Sequence, residues 1–476
     1  MGQLQIIAKN SSVLLISQVV SYVLTFFSTI YIARYLGTDG FGILSFALAF
    51  TGMVSIFADM GLNTLVVREV ARNKSLTDKY LTNVLVIKTI LAVITALIVI
   101  LVINLLNYPP ETILVVYLLA LSIILNSIYG VFNSIFQAYE RMEYQAVGQI
   151  INSTTIFGIV LIAIYLNSSV VAFAFNYLIA SVVGLVYSVT IYFWKFYLPE
   201  VRVDISFWKP ALKEAWPYGL IGIFSMIYVW IDSFFLSFFQ GNGAVGIYNA
   251  AYKLGMVFLF IPTVFNLSIF PVMSKFYINS QNSLKKTVGK YFDFMVLIGT
   301  LLAVGTAIMA SEIILLVFGA SFSDSIIALQ ILIWSTLFIF LNSPLIQLMS
   351  SIDKPGTLSK IVALCMVVNI ILNLIFIPRY SYLAASIITV ITEFLVLSIS
   401  LYVTQKIGYN ILKRKSQFII KVVLASGLSG VLVLYFKDFN LPLTVLAAAL
   451  LYIALIYLSK CIDPEDIHVI KDYLSN

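Results

Sequence analysis

About fourteen apolar runs, each near the ~20 residues that a helix needs to cross hydrocarbon, fill this chain almost from end to end. In lipid every backbone N–H and C=O must find its partner inside the protein, so runs of this length are restricted to membrane-spanning helices. The spans are predicted at 11–34, 43–66, 82–106, 113–138, 145–166, 170–192, 216–239, 244–271, 292–318, 326–350, 361–378, 382–404, 417–436 and 442–460. With 61% hydrophobic and 10% charged residues, against roughly 25% charged in soluble domains, a water-soluble fold is excluded.

An even number of spans puts both termini on one side. Alternate loops collect the positive charge, among them Arg68, Arg72, Lys74 and Lys79, then Arg141, then Lys285, Lys286 and Lys290, while the opposite loops hold only Arg34, Arg379 and Lys437. By the positive-inside rule the basic loops and both termini are cytoplasmic, and the net charge of +7 reflects topology more than any nucleic-acid partner. Cys365 and Cys461 have no partner at metal-ligand or redox spacing, and the one histidine is His468, so no metal site is expected. The long connection 193–215, with Pro199 and Pro210, reads as a cytoplasmic linker between an N-terminal lobe (1–192) and a C-terminal lobe (216–404), followed by 405–476 with the last two spans and a tail.

The chain repeats itself across that division. Gly37-Thr-Asp-Gly-Phe-Gly42 follows the first span as Gly241-Asn-Gly-Ala-Val-Gly246 follows the seventh. Tight turns are often glycine-rich for conformational reasons alone. The similar offset from each lobe start favours duplication, giving an all-α polytopic membrane protein with two six-helix lobes in parallel pseudo-repeat, an architecture that transporters use with a substrate path at the repeat interface.

The stretch from Arg34 through Ser45, the run Asp59-Met-Gly-Leu-Asn-Thr-Leu-Val-Val-Arg68, and Asp232 followed by Gly246-Ile-Tyr-Asn-Ala-Ala-Tyr-Lys253 resemble the polysaccharide-transport (oligosaccharide/O-antigen) flippases of the multidrug/oligosaccharidyl-lipid/polysaccharide exporter superfamily. Phe136-Gln-Ala-Tyr-Glu-Arg141 and Phe270-Pro-Val-Met-Ser-Lys275 extend the resemblance over essentially the whole chain. It implies twelve core helices plus two C-terminal ones, and export of a lipid-linked oligosaccharide of the polyprenyl-diphosphate type from the cytoplasmic to the outer leaflet by alternating access, for surface polysaccharide or glycan biosynthesis.

Such a substrate leaves its tail in the bilayer while an anionic, hydroxyl-rich head crosses, so the protein must offer a polar, partly cationic path, and polar groups inside the spans become the candidates. Asp232 lies ten residues before Asn242 and Lys253 eleven after it, which places both about 15 Å deep on antiparallel neighbours. Lys253 is then either a cationic contact for the diphosphate with Asp232 as its alternate partner, or half of a permanent pair that fixes helix register. Tyr248, Asn249 and Tyr252 beside them suit sugar rings and hydroxyls. Glu393 and Asp59 are candidates to carry a coupling H⁺ or Na⁺, against a neutral structural carboxyl for Glu393 and an inter-helix hydrogen bond, the favoured role, for Asp59. Lys88 and Arg34 complete the substrate-binding candidates, against the simpler expectations that Lys88 snorkels to the headgroups and that Arg34 is an interfacial anchor.

No phosphate-binding GxxxxGK[ST] motif occurs, so no nucleotide hydrolysis is expected, and a transporter rather than an enzyme is implied. The alternatives are a cation-coupled multidrug antiporter of the same superfamily and, more distantly, a membrane glycosyltransferase or ligase. No cofactor is expected beyond an ion gradient. The expected partners are the lipid-linked oligosaccharide, membrane lipids and polysaccharide-assembly enzymes, and the expected location is the cell (cytoplasmic/inner) membrane, multi-pass.

Overall fold

A computed structural model describes residues 3–196, 200–413, 415–436 and 441–461. Pro199, Arg414, Lys437 and the tail with His468 lie outside the described residues. Among the described residues there is no β-strand, and eleven helices are long and apolar enough to cross a membrane. In chain order the helices are α1 (Gln3–Ser55), α2 (Leu62–Arg72), α3 (Thr77–Leu105), α4 (Pro110–Ala138), α5 (Met142–Tyr165), α6 (Val170–Lys195), α7 (Ile205–Gln240) and α8 (Asn242–Val257). There follow α9 (Phe260–Asn279), α10 (Gln281–Ile308), α11 (Ala310–Val317), α12 (Ser325–Ser351), α13 (Pro355–Lys406), α14 (Ser416–Phe436) and α15 (Leu441–Leu458).

The ninth span, read as 292–318, starts earlier and is divided at Met309 into α10 and α11, and three other helices differ from expectation for local reasons. The second span, read as 43–66, stops at Asp59. Met60 and Gly61 take positive φ (46° and 82°), and the chain restarts as α2. The eighth, read as 244–271, breaks between Val257 and Phe260, where the ring of Pro262 crowds the carbonyl four residues before it. Of the stretch 193–215, residues from Ile205 onward are the first turns of α7, started by the Asp204 carboxylate accepting from the Ser206 amide at 3.1 Å.

The helices form two compact units. The first comprises Met1–Ala250 with Val317–Phe322 and Val362–Ala385. In it α1 packs on α5 and α7, α3 on α4, and α4 on α6. One core joins Leu62, Leu65 and Val66 of α2 to Phe136 of α4, Tyr192 of α6 and Ala215 of α7. Asn83 ties the start of α7 to it, its Oδ1 accepting from the Asp204 amide at 2.7 Å and from Trp208 Nε1 at 3.1 Å.

The two glycine turns share one backbone geometry, φ 68°, ψ −173° at Gly37 and φ 83°, ψ −178° at Gly241, in a region that glycine alone enters readily. They also meet. A Cβ on Gly42 would lie 1.8 Å from the Asn242 carbonyl oxygen, and one on Gly246 would lie 2.0 Å from that of Thr38. Each turn thus presses a side-chain-free residue against the carbonyl that follows the other turn's first glycine.

The second unit comprises Ala251–Leu316, Ser323–Ile361 and Ser386–Asn476. Here α9, α12 and α14 pack on α10, and α15 on α14. Tyr291, buried with Met295 and Phe340, sends its hydroxyl to Asn266 Oδ1 at 2.8 Å, and Gln347 Nε2 donates to the Asn266 carbonyl at 2.9 Å. Lys415, at the entry to α14, donates to Asp293 Oδ1 at 2.5 Å and to the Gly289 carbonyl at 2.7 Å.

Candidate functional site

The interruption before α2 builds the site. Gly61 must lack a side chain, because a Cβ there would stand 2.5 Å from the Ala215 carbonyl of α7. With the chain turned in this way, Asp59 covers the free amides of the new helix, accepting from Gly61 N at 3.2 Å and Asn63 N at 3.3 Å. Ser127 of α4 fixes the other side of the break by donating to the Ala58 carbonyl at 3.2 Å.

Into this turn comes Lys88 of α3. Its Nζ donates to Asp59 Oδ1 at 2.7 Å and to Asn63 Oδ1 at 2.8 Å, and the side chain is 1% exposed. A charge removed from water this fully needs a countercharge and hydrogen bonds, and it has both. The snorkelling expected for Lys88 is therefore corrected. The ammonium turns inward because a carboxylate and an amide oxygen lie within its reach.

Two cavities adjoin the pair. One of about 460 Å³ is walled by Asp59 and Lys88 together with Thr51, Asn126, Tyr177 and Trp230. A second of about 630 Å³ shares Asn63 with the first and is lined by Arg68, Tyr129, Asn133, Gln137 and Gln145. Gly130 lines the second cavity, where a Cβ would come 2.9 Å from Asn63 Nδ2 and 3.4 Å from Lys88 Nζ. A side chain at this glycine would therefore press on both groups.

Arg68 is also tied down. Its Nε donates to Glu69 at 2.7 Å, one terminal nitrogen donates to the Tyr218 hydroxyl at 3.0 Å, and the other donates to Glu214. Partial burial works against the charge, but the hydrogen bonds to Glu69, Tyr218 and Glu214 hold its pKa above the ordinary arginine value.

Of the other sequence candidates, Asp232, Tyr248 and Asn249 belong to the first unit and are all buried. The Tyr248 hydroxyl donates to Asp232 Oδ2 at 3.0 Å, Asn373 Nδ2 to Asp232 Oδ1 at 2.5 Å, and Asn249 Nδ2 to Ser233 Oγ at 3.0 Å. None of the three lines the two cavities. Arg34 is exposed, its Nε donating to the Val317 carbonyl at 2.8 Å. Lys253, Tyr252 and Glu393 belong to the second unit and are half-buried. Among the described residues no three His, Cys, Asp or Glu side chains come together as a metal site would need.

Sequence reasoning singled out neither Asn63, Tyr129, Tyr177, Gln137, Gln145 nor Trp230 as site groups, and it took Arg68 only as a marker of topology. Asn63 lies close to Asp59 in sequence, but it is the turn at Met60 and Gly61 that brings it to Lys88. The others depend on which faces of α4, α5 and α6 turn inward.

Residues 7–277 match the family described as "Polysaccharide biosynthesis protein". The chain is similar to an uncharacterized membrane protein of Methanocaldococcus jannaschii, 24% identical over 74% of this chain and 71% of that one. It is likewise similar to the "Probable low-salt glycan biosynthesis flippase Agl15" of Haloferax volcanii, 23% identical over 81% of each. Among solved structures, the lipid II flippase MurJ in its inward closed conformation superposes with a TM-score of 0.76 at 16% identity, covering 95% of this chain and 98% of that one, which is a likeness of fold.

Proposed function

This chain belongs to the family of polysaccharide biosynthesis proteins, and from that premise we propose that it is a flippase, which moves a lipid-linked oligosaccharide of the polyprenyl-diphosphate type from the cytoplasmic to the outer leaflet of the cell membrane. It works as a transporter and not as an enzyme. The observation that carries this reading is the buried Lys88–Asp59 pair with a cavity on each side of it, one walled by both residues and one by Asn63 and Arg68, among long apolar helices. A buried charge pair is costly in hydrocarbon, and a hydroxyl-rich head that must cross gives it a use.

In this reading α1 and α13, each bent at a positive-φ residue (Gly37 and Ser381), cross twice, and with Pro442–Leu458 the eleven candidate spans become fourteen crossings. Both termini then face the cytoplasm, as the basic loops require. In the same topology the two glycine turns, whose backbones meet at Gly42 and Gly246, belong to the outer side. Asp59 and Glu393 are the groups to carry a coupling H⁺ or Na⁺, and Arg34, Lys253 and Asp232 remain candidates for the diphosphate. Polysaccharide-assembly enzymes would supply and consume the substrate.

The test is leaflet translocation in proteoliposomes of a polyprenyl-diphosphate oligosaccharide, with efflux of a cationic dye measured alongside. Flipping without dye export is the expected result. Dye export driven by an ion gradient, without flipping, would replace this reading with a multidrug antiporter of the same superfamily.

A further inference from the structure

We propose that the two cavities of the first unit form a subsite for the uncharged, hydroxyl-rich sugars of the glycan head, and that they discriminate against acidic sugars. This rests on the flippase reading and adds what part of the substrate these residues hold. An anion-binding pocket needs cationic charge to spare. Among the described lining residues the charged groups are Asp59 and Lys88 in the first cavity and Arg68 in the second. Lys88 already faces Asp59 at 2.7 Å, and Arg68 already meets two carboxylates, Glu69 and Glu214. A sugar carboxylate entering the first cavity would have to displace Asp59, which the amides of Gly61 and Asn63 also hold. In the second cavity it would meet the field of two glutamates beside one arginine.

What the walls do offer suits neutral sugar. Asn126 and Asn133 bring side-chain amides to the walls, and Gln137 and Gln145, joined by Gln137 Nε2 donating to Gln145 Oε1 at 2.9 Å, keep the Gln137 oxygen and the Gln145 amide hydrogens for hydroxyls. Tyr129, Tyr177 and Trp230 supply apolar faces with polar edges, the surface on which a sugar ring packs its C–H groups. The volumes of about 460 and 630 Å³ fall in the range of small-ligand sites. Gly130 leaves the room next to Asn63 and Lys88 clear of any side chain.

The experiment uses the full chain in proteoliposomes and two probes on one polyprenyl-diphosphate carrier, a tetra-N-acetylglucosamine head and a tetra-glucuronate head. The neutral probe should be flipped about tenfold faster or more, the scale of one unfavourable charge contact. Free tetra-N-acetylglucosamine should slow its transport more than free tetra-glucuronate at the same concentration, which reads recognition of the sugar apart from that of the carrier. In the paired variant Glu69→Gln with Glu214→Gln, the freed Arg68 should raise the rate for the acidic probe relative to the neutral one, a gain that misfolding cannot imitate. Equal rates for both probes, or no gain in the paired variant, would overturn the neutral subsite and leave the flippase standing. Flipping of neither probe would overturn the flippase reading itself.

Discussion

Two lysine–aspartate pairs, one in each unit, show how differently the same chemistry is used. Lys88 and Asp59 meet at 2.7 Å with the lysine 1% exposed, at a helix interruption that borders a cavity. Lys415 and Asp293 meet at 2.5 Å with the lysine 17% and the aspartate 33% exposed, at the entry to α14. The second pair is a clip. It fastens the start of α14 to α10, and the Gly289 carbonyl takes a further hydrogen bond from the same ammonium. The first pair maintains a broken helix and a cavity wall at once, so its loss changes the shape of the proposed path. Burial depth alone does not separate the two roles. The cavity beside one pair and the helix end beside the other do.

The largest effect expected is for Asp59→Ala, which leaves the Lys88 charge buried without its carboxylate and should cost about 3–5 kcal/mol of unfolding free energy. Adding Lys88→Met should recover most of that stability while transport stays lost, as read by thermal unfolding in detergent and by proteoliposome flipping. Recovery of transport in the double variant would break the comparison, because Lys88–Asp59 would then be a clip as well. Lys415→Ala should cost less, about 1–2 kcal/mol, since it removes hydrogen bonds to a charged group at a partly solvated place. Its flipping rate should remain near that of the native chain. Arg68→Lys keeps the charge but loses the forked geometry toward Glu69 and Glu214, and should cost about 0.5 kcal/mol while lowering transport. The smallest effect is that of salt. Raising ionic strength from 0.1 to about 1 M shortens the screening length to ~3 Å and should weaken the Lys415 contact in a Lys415→Ala cycle, with the Lys88 contact nearly unmoved.

Much of the fold was legible because lipid imposes few solutions. Apolar runs of spanning length gave the helices, and the glycines of 37–42 and 241–246 marked turns whose backbone does require glycine at Gly37 and Gly241. What remained hidden was set by contacts distant in sequence. Lys88 lies 29 residues from Asp59, and its inward turn follows from an interruption that depends on Gly61 passing close to Ala215 of α7. Arg68 read as a loop charge because Glu214, its partner, is 146 residues away. Counting from Asn242 put Asp232 on one side of the turn and Tyr248 on the other, and in the structure the Tyr248 hydroxyl reaches the Asp232 carboxylate. Counting residues gave position along each helix. It could not give the direction in which α4, α5 and α6 present their amides.

The most direct test of the central claim, that glycan passes through the cavity beside Lys88 and Asp59, is the accessibility of Asn126, which lines it. Asn126→Cys, in a chain with Cys365→Ala and Cys461→Ala, would be labelled with a membrane-permeant maleimide with and without the polyprenyl-diphosphate tetra-N-acetylglucosamine. The account expects labelling to slow when this substrate is present and to be unaffected by the carrier lipid alone. Labelling at one unchanged rate in a variant that still flips the substrate would contradict it.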